Sequence, residues 1–170
     1  MRGTHAELDP VRRAVVHAFE MAGEDAERWC SGLTEAELRK TFDGLPSIAF
    51  HLRHMARSLD RLLTYADDRA LDADQVAKLA TEHDPDVATA LQEFYKGVES
   101  AVARVSAIDP KTYTEPRGIG RERLPTTVAG LLIHCAEHTQ RHAGQMVTTA
   151  KLIRARTRNP ATTSYNQPTG

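Results

Sequence analysis

The sequence predicts an all-α protein, a four-helix bundle of the up-and-down type. Three observations favour this fold class: four long segments carry apolar residues at helical spacing, alternating strand patterns are nearly absent, and residues typical of helix ends separate the segments. The 170 residues are enough for one domain with a hydrophobic core. We assign residues 1–160 to this single domain and expect residues 161–170, which are small and polar, to form a flexible tail.

The overall composition is ordinary for a globular protein and excludes several functions. The net charge of −1 gives no basic surface for nucleic acid. No apolar run approaches the roughly 20 residues of a membrane span, and the first residues lack the apolar core of a signal peptide. Cys30 and Cys135 lie far apart and match no metal or redox spacing. We therefore expect a cytoplasmic protein with no nucleic-acid or membrane partner.

The first predicted helix runs from about Asp9 to Trp29, with Pro10 in the first turn, where proline is favoured. Its apolar stripe comprises Leu8, Val11, Val15, Phe19 and Ala22. Thr34, followed three residues later by Glu37, matches a capping box. This pattern predicts a short helix after the first long one.

Two further apolar stripes predict the second and third long helices. The second helix starts near Pro46-Ser47 and ends at about Asp67; its stripe comprises Ile48, Leu52, Met55, Leu59 and Leu62. The third starts at Asp84-Pro85, an N-cap followed by proline, and ends at Asp109-Pro110. Its stripe comprises Val87, Leu91, Phe94, Val98, Val102 and Val105.

The last helix is predicted from about Pro125 to Arg156, after a loop over residues 111–124. The loop contains three arginines, Arg117, Arg121 and Arg123. A solvated basic loop is the simpler interpretation of these arginines. The alternative is a site for the carboxylates of an acidic cofactor.

Two histidines stand on the predicted packing seam of the last helix. The seam has a 3-4-3-4-3 spacing and comprises Val128, Leu131, Cys135, His138, His142 and Gln145. One interpretation is a pair of buried core histidines bonded to polar neighbours. The other is a metal site, because imidazoles four residues apart can both reach one divalent ion. The pattern is not the HExxH motif, since no glutamate follows His138.

The second helix carries two more histidines, His51 and His54, close to its start. A third imidazole from this helix would complete a site with open positions for water or substrate, which is typical of catalytic metals. On a helical wheel His51 lies nearer the apolar seam than His54 does. A bundle helix contacts two neighbours, however, so the spacing alone leaves both histidines as candidates.

Two stretches of the sequence resemble the DinB-like (YfiT-like) metalloprotein superfamily, and the similarity covers about residues 9–155. His54-Met55-Ala56 is similar to that family's "His, apolar, Ala", and residues 138–145 are similar to its "His-x-x-x-His-Arg-Gly-Gln". Ala143 stands where arginine is common in the family. The resemblance implies a dimeric four-helix bundle that holds a divalent metal, zinc or nickel, on His54, His138 and His142.

The resemblance also implies an activity, because known members include transferases that use low-molecular-weight thiols. We expect a metal-dependent thiol S-transferase acting on a small-molecule substrate, with no catalytic residue assigned. The alternatives are a metal-dependent hydrolase, a non-catalytic metal-binding stress protein, and a helical interaction module whose histidines only pack. We expect His51 to be either the alternative third ligand or a supporting polar group, and His134 to be a supporting or buried polar group. Glu137 should be solvated, and Gln145 should orient His142 or be a core amide.

Overall fold

The structure, a computed structural model, describes residues 3–42, 44–83 and 86–158. Within these ranges the helices are α1 (Pro10–Cys30), α2 (Glu35–Arg39), α3 (Ile48–Ala66), α4 (Ala73–Ala80), α5 (Ala90–Ala107) and α6 (Val128–Arg158). A small antiparallel hairpin joins β1 (Pro116–Ile119) to β2 (Leu124–Thr127), after a 3-10 turn at Pro110–Thr112. Among the described helices, none is long and apolar enough to cross a membrane. The predicted all-α fold class is confirmed.

Four long helices, α1, α3, α5 and α6, form the bundle. Helix α3 packs against α5 and α6, and α1 packs against the same two helices. Helices α1 and α3 therefore lie across the bundle from each other, and so do α5 and α6. The connections over residues 31–47 and 108–127 are long because each joins helices that are not neighbours in the bundle.

Side-chain caps fix the starts of the helices that the sequence predicts well. The Asp9 carboxylate accepts a hydrogen bond from the Val11 amide at 2.9 Å, and the Ser47 hydroxyl accepts one from the Phe50 amide at 3.1 Å. The capping box predicted from Thr34 is present at the start of α2. These caps satisfy amides that the first helical turn leaves free, so α1, α2 and α3 begin where the sequence indicates.

The middle of the chain differs from the prediction in two ways. The third long helix begins at Ala90, because residues 86–89 are not helical; the predicted start at Asp84-Pro85 lies outside the described residues. Helix α4 precedes it and was not predicted, although Asp72 and Gln75 form a capping box at its start. Eight residues are too few for an apolar stripe, so periodicity alone does not reveal such a helix.

The segment predicted as a loop, residues 111–124, contains β1 and the start of β2. Each strand has only four residues, and Pro116, Gly118 and Pro125 interrupt any alternating apolar pattern. The pairing moves the start of the last helix from Pro125 to Val128, and the helix continues to Arg158. The predicted tail, residues 161–170, lies outside the described residues.

Two clusters of buried apolar side chains fill the bundle and meet near its middle. On α3, apolar residues from 48–55 belong to the first cluster and those from 59–66 to the second. On α6, residues 131–135 belong to the second cluster, and buried residues from 143–153 belong to the first. The histidines of α3 and α6 lie at this level, where the two clusters meet.

Candidate metal centre

Three histidines from two helices converge where the two apolar clusters meet. His54 comes from α3, and His138 and His142 come from α6; one ring nitrogen of each lies within 4.8 Å of those of the other two. His138 and His142 are four residues apart, so their rings lie on one side of α6, with centroids separated by 4.6 Å. The structure thus brings together the three side chains that the resemblance implies as ligands.

His138 and His142 lie at one edge of the buried ridge of α6. The sequence predicted a seam through both histidines and Gln145, whereas the buried ridge comprises Val128, Leu131, Leu132, Cys135, Thr139, Ala143, Met146, Ala150 and Ile153. Both histidines are half-buried, and Gln145 is exposed. The predicted seam is therefore wrong at Gln145, and the two imidazoles lie at the edge of the ridge that faces His54.

Glu82, two residues after α4, forms a hydrogen bond with the ring nitrogen of His54 that does not face His138. Its Oε2 lies 2.7 Å from His54 Nδ1, and its Oε1 accepts a hydrogen bond from Arg61 Nη1 at 2.9 Å. Burial acts to raise the pKa of Glu82, but the hydrogen bonds from His54 and Arg61 outweigh burial and lower it. Because an ionised carboxylate only accepts, His54 donates from Nδ1 and keeps a lone pair on Nε2, as a metal ligand must.

Sequence reasoning missed Glu82 as part of this site. It is 28 residues from His54 along the chain and follows a helix that was itself not predicted. Neither apolar periodicity nor a short motif marks the segment. Only the packing of α4 against α3 brings this carboxylate to the histidine.

His51 lies next to the three histidines but outside the group whose ligand atoms converge. It is almost fully buried, at 2% exposure, and its Nδ1 lies 3.1 Å from His142 Nδ1. When His142 donates from Nδ1 to His51, the Nε2 of His142 keeps its lone pair, which is the tautomer that a ligand needs. This contact is the supporting role that the sequence left open for His51.

The donor set fits a divalent cation. His54 Nε2 and His138 Nε2 are 3.2 Å apart. Ligand atoms of a tetrahedral zinc ion with bonds of about 2.0–2.1 Å have a separation of about 3.3 Å. Burial, followed by the neighbouring histidines, lowers the pKa of both His138 and His142 to about 4. Both imidazoles are therefore neutral at pH 7, as metal binding requires.

A cavity of about 260 Å³ opens beside His54 and His138. His54, His138 and His134 contribute to one part of its wall. The rest of the lining is mostly apolar and comprises Ser58, Arg61, Leu62, Tyr65, Leu71, Leu79 and Ile119. Ile119 belongs to β1, so the hairpin that the sequence did not reveal helps to enclose this space.

Three further residues that the sequence placed near the site lie at its edge. His134 is half-buried, outside the converging group, with its ring centroid 5.8 Å from that of His138. Glu137 is exposed, as expected. Gln145 is also exposed, so it is not a core amide, and the structure gives no contact through which it would orient His142.

The arginines between Lys111 and Leu124 do not form a common site. Arg117 donates from Nε to the Ala66 carbonyl at 2.7 Å and pairs with Glu115, which fastens the hairpin to the end of α3. Arg121 and Arg123 are exposed to solvent. The arrangement corresponds to the simpler interpretation, a basic surface segment.

Comparisons with known proteins give a family and a fold. The sequence profile of the DinB superfamily matches residues 18–146. Among solved structures, the chain is similar to a crystal structure described as the conserved protein of locus from Enterococcus faecalis, with a TM-score of 0.64 and 19% sequence identity over 87% of this chain and 99% of that chain. At this identity the likeness shows a shared fold. No curated protein matched the sequence.

Proposed function

The chain belongs to the DinB superfamily, and we propose that it binds one divalent metal ion through His54, His138 and His142. The observation that carries this proposal is the convergence of three ring nitrogens within 4.8 Å. Glu82 behind His54 supports it, because a carboxylate bonded to the far nitrogen fixes the tautomer of a ligand and raises its basicity. Zinc or nickel is the ion we propose, since neutral imidazoles suit both.

We further propose that the protein is a metal-dependent transferase of low-molecular-weight thiols. A divalent ion held by three imidazoles supplies Lewis acidity and open coordination positions for an incoming ligand. The protein's own thiols do not suit this reaction, because Cys30 and Cys135 are buried and burial raises the pKa of each to about 12. The reacting thiol therefore has to be a small molecule, which we propose as the second cofactor.

The cavity beside His54 and His138 is the proposed substrate site. Its volume of about 260 Å³ suits a small molecule, and four of its ten lining residues are leucine or isoleucine: Leu62, Leu71, Leu79 and Ile119. This lining favours an electrophile with an apolar body. Arg61 and His134 supply polar groups at the wall for the part of the substrate that carries charge or hydrogen-bonding atoms.

A two-step experiment tests the proposal. Metal analysis of protein purified without chelators should find about one ion per chain, and His138→Ala should remove it. Conjugation of a chloronitrobenzene by glutathione, bacillithiol or mycothiol should then depend on the bound ion. His134→Ala is the matched control, because it removes a histidine from the cavity wall and should leave the metal content unchanged.

The outcomes separate the competing functions. Wild-type protein that carries no metal and takes up none contradicts the metal centre itself. If the protein binds the ion but conjugates none of the thiols, the proposed transferase activity is contradicted. Ester or amide hydrolysis in the second case would favour a metal-dependent hydrolase, and no turnover would favour a non-catalytic metal-binding protein.

The assembly and the location are proposals as well. We propose a homodimer, as the family resemblance implies, and sedimentation of single chains at micromolar concentration would contradict it. We propose a cytoplasmic location because Cys30 and Cys135 are unpaired thiols, as expected in a reducing compartment. Fractionation that finds the protein outside the cytoplasm would contradict that proposal.

A further inference from the structure

A second cluster of metal-ligating side chains lies on α1, away from the centre between α3 and α6. His17 and Glu20 are three residues apart and share one face of α1. His5 belongs to the segment before the helix, which a hydrogen bond from the Leu8 amide to the His5 carbonyl folds into a turn. One ligand atom from each of the three side chains lies within 4.8 Å of the other two.

Two carboxylates lie on opposite sides of the His5 ring. Its Nε2 lies 2.7 Å from Glu20 Oε1, and its Nδ1 lies 3.6 Å from Glu7 Oε1 on the opposite side of the ring. His5 has a φ of 42°, in the left-handed region, which is uncommon for residues other than glycine, although histidine is among those enriched there.

Glu20 has a carboxylate oxygen that its present neighbours do not satisfy. Oε1 contacts His5, but Oε2 is buried and has no hydrogen-bond partner among the described residues. His17 Nε2 lies 3.0 Å from the Gly3 carbonyl oxygen, so it donates there and keeps the lone pair on its other ring nitrogen. A buried, unsatisfied oxygen on a carboxylate that belongs to a group with two imidazoles is a place where a cation lowers the free energy.

We propose that His5, His17 and Glu20 form a second divalent-cation site with two nitrogen donors and one oxygen donor. This donor set suits a borderline ion such as zinc, and zinc sites with two histidines and one glutamate keep an open position for water. An ion held there ties residues 3–8 to the side of α1. The site shares no residue with the first centre, so either can exist without the other.

The experiment uses full-length protein from which the first centre has been removed by the double substitution His138→Ala, His142→Ala. Calorimetric titration with Zn²⁺ should still show about one ion per chain. Adding His17→Ala should abolish this binding, and adding Glu20→Gln should weaken it at least about tenfold. His83→Ala is the matched control, because His83 is an exposed histidine outside both groups, and it should change nothing.

Hydrogen exchange is a second measurement, and it reports whether the ion stabilises the turn before α1, which metal stoichiometry does not show. Zn²⁺ should slow exchange of the Leu8 amide, because the ion holds the turn that this amide closes. Circular dichroism checks that each variant remains helical, and Glu20→Gln keeps the shape of the side chain if His17→Ala misfolds. The proposal is overturned if the double variant binds no Zn²⁺, or if its binding is as sensitive to His83→Ala as to His17→Ala and Glu20→Gln.

Discussion

Substituting Glu82 by glutamine tests whether this carboxylate prepares His54 for metal binding. The carboxylate accepts from both His54 and Arg61, whereas an amide of the same shape has one accepting oxygen and one donating nitrogen. If the amide oxygen faces His54, the amide nitrogen faces the guanidinium of Arg61, and two donors meet. If the amide nitrogen faces His54, the imidazole must carry its proton on Nε2 and loses the lone pair that a ligand needs.

Two magnitudes follow from this geometry. Loss of the outer partner of a ligating histidine weakens metal binding about 10–100-fold, or about 1.4–2.7 kcal/mol. The metal-free protein should also lose about 1.5–3 kcal/mol of unfolding free energy, because the bond between Glu82 and Arg61 joins charged groups whose side chains are only 8% and 12% exposed. The exposed pair of Lys78 and Asp74 on α4, by contrast, contributes at most about 0.5 kcal/mol.

The assay is calorimetric titration of chelator-treated protein with Zn²⁺ at pH 7, together with urea unfolding followed by circular dichroism. Asp74→Asn is the matched control, since it removes a carboxylate from the neighbouring helix α4 without touching His54. It should leave both the affinity and the stability close to wild type. A Glu82→Gln protein that unfolds more easily but binds Zn²⁺ within twofold of wild type would refute the reasoning and leave Glu82 a purely structural role.

Four further predictions address the site and the bundle. Metal analysis should find a loss of stoichiometric ion in each of three single alanine variants, those of His54, His138 and His142. His51→Ala should keep the ion but bind it about tenfold more weakly in a titration with Zn²⁺, because the substitution removes the hydrogen-bond partner of the proposed ligand His142. Complete loss of Zn²⁺ binding would instead make His51 a ligand. Gly97→Ala should lower the free energy of unfolding, measured in urea, by about 1–3 kcal/mol, because the new Cβ would lie 2.6 Å from the Cβ of Ala56. Gly23→Ala places its Cβ more than 4 Å from any atom and should raise the free energy of unfolding by up to about 1 kcal/mol. Burial acts to raise the pKa of Asp9, but hydrogen bonds from an arginine, a tyrosine and the backbone lower it from 3.8 to about 2. The ionised carboxylate therefore stabilises the fold above about pH 4, and this stabilisation is lost as the pH falls through 2. In unfolding measured as a function of pH, Asp9→Asn should destabilise the protein by about 1–2 kcal/mol at pH 7 and by little at pH 2.

The long helices could be predicted from the sequence because their signals are local and repeated. Asp9 and Ser47 cap α1 and α3 where the sequence indicates, and the apolar stripes between the caps are buried. Helix α4 and the hairpin were missed because their signals are short. Helix α4 has eight residues, and each strand has four residues that include proline, so their positions depend on contacts with α3 that the sequence does not display.

The three converging histidines could be proposed from the sequence, but the groups around them could not. His138 and His142 are one turn apart, and the motif resemblance adds His54, so spacing and similarity suffice to name them. Glu82 and Ile119 reach the site through packing between segments that are distant along the chain. Neither residue has a neighbouring motif that would mark it, so their roles follow only from the three-dimensional arrangement.

The histidines lie at the edge of the buried ridge, which explains how one site can be shielded from bulk water and still be open to a small molecule. At about 100° per residue, His138 lies about 80° from Val128 around α6, beyond Leu131, which is buried and lies about 60° to the same side. His142 lies about 40° to that side, just inside this edge of the buried arc. His54 is likewise about 120° from Ile48 around α3. The proposed ligands therefore stand at the edge of the contact between α3 and α6, and the cavity of about 260 Å³ opens beside His54 and His138. Histidines at the centre of the ridge would be sealed from any small molecule, whereas this edge is buried enough to keep His138 and His142 neutral and open enough to admit a ligand.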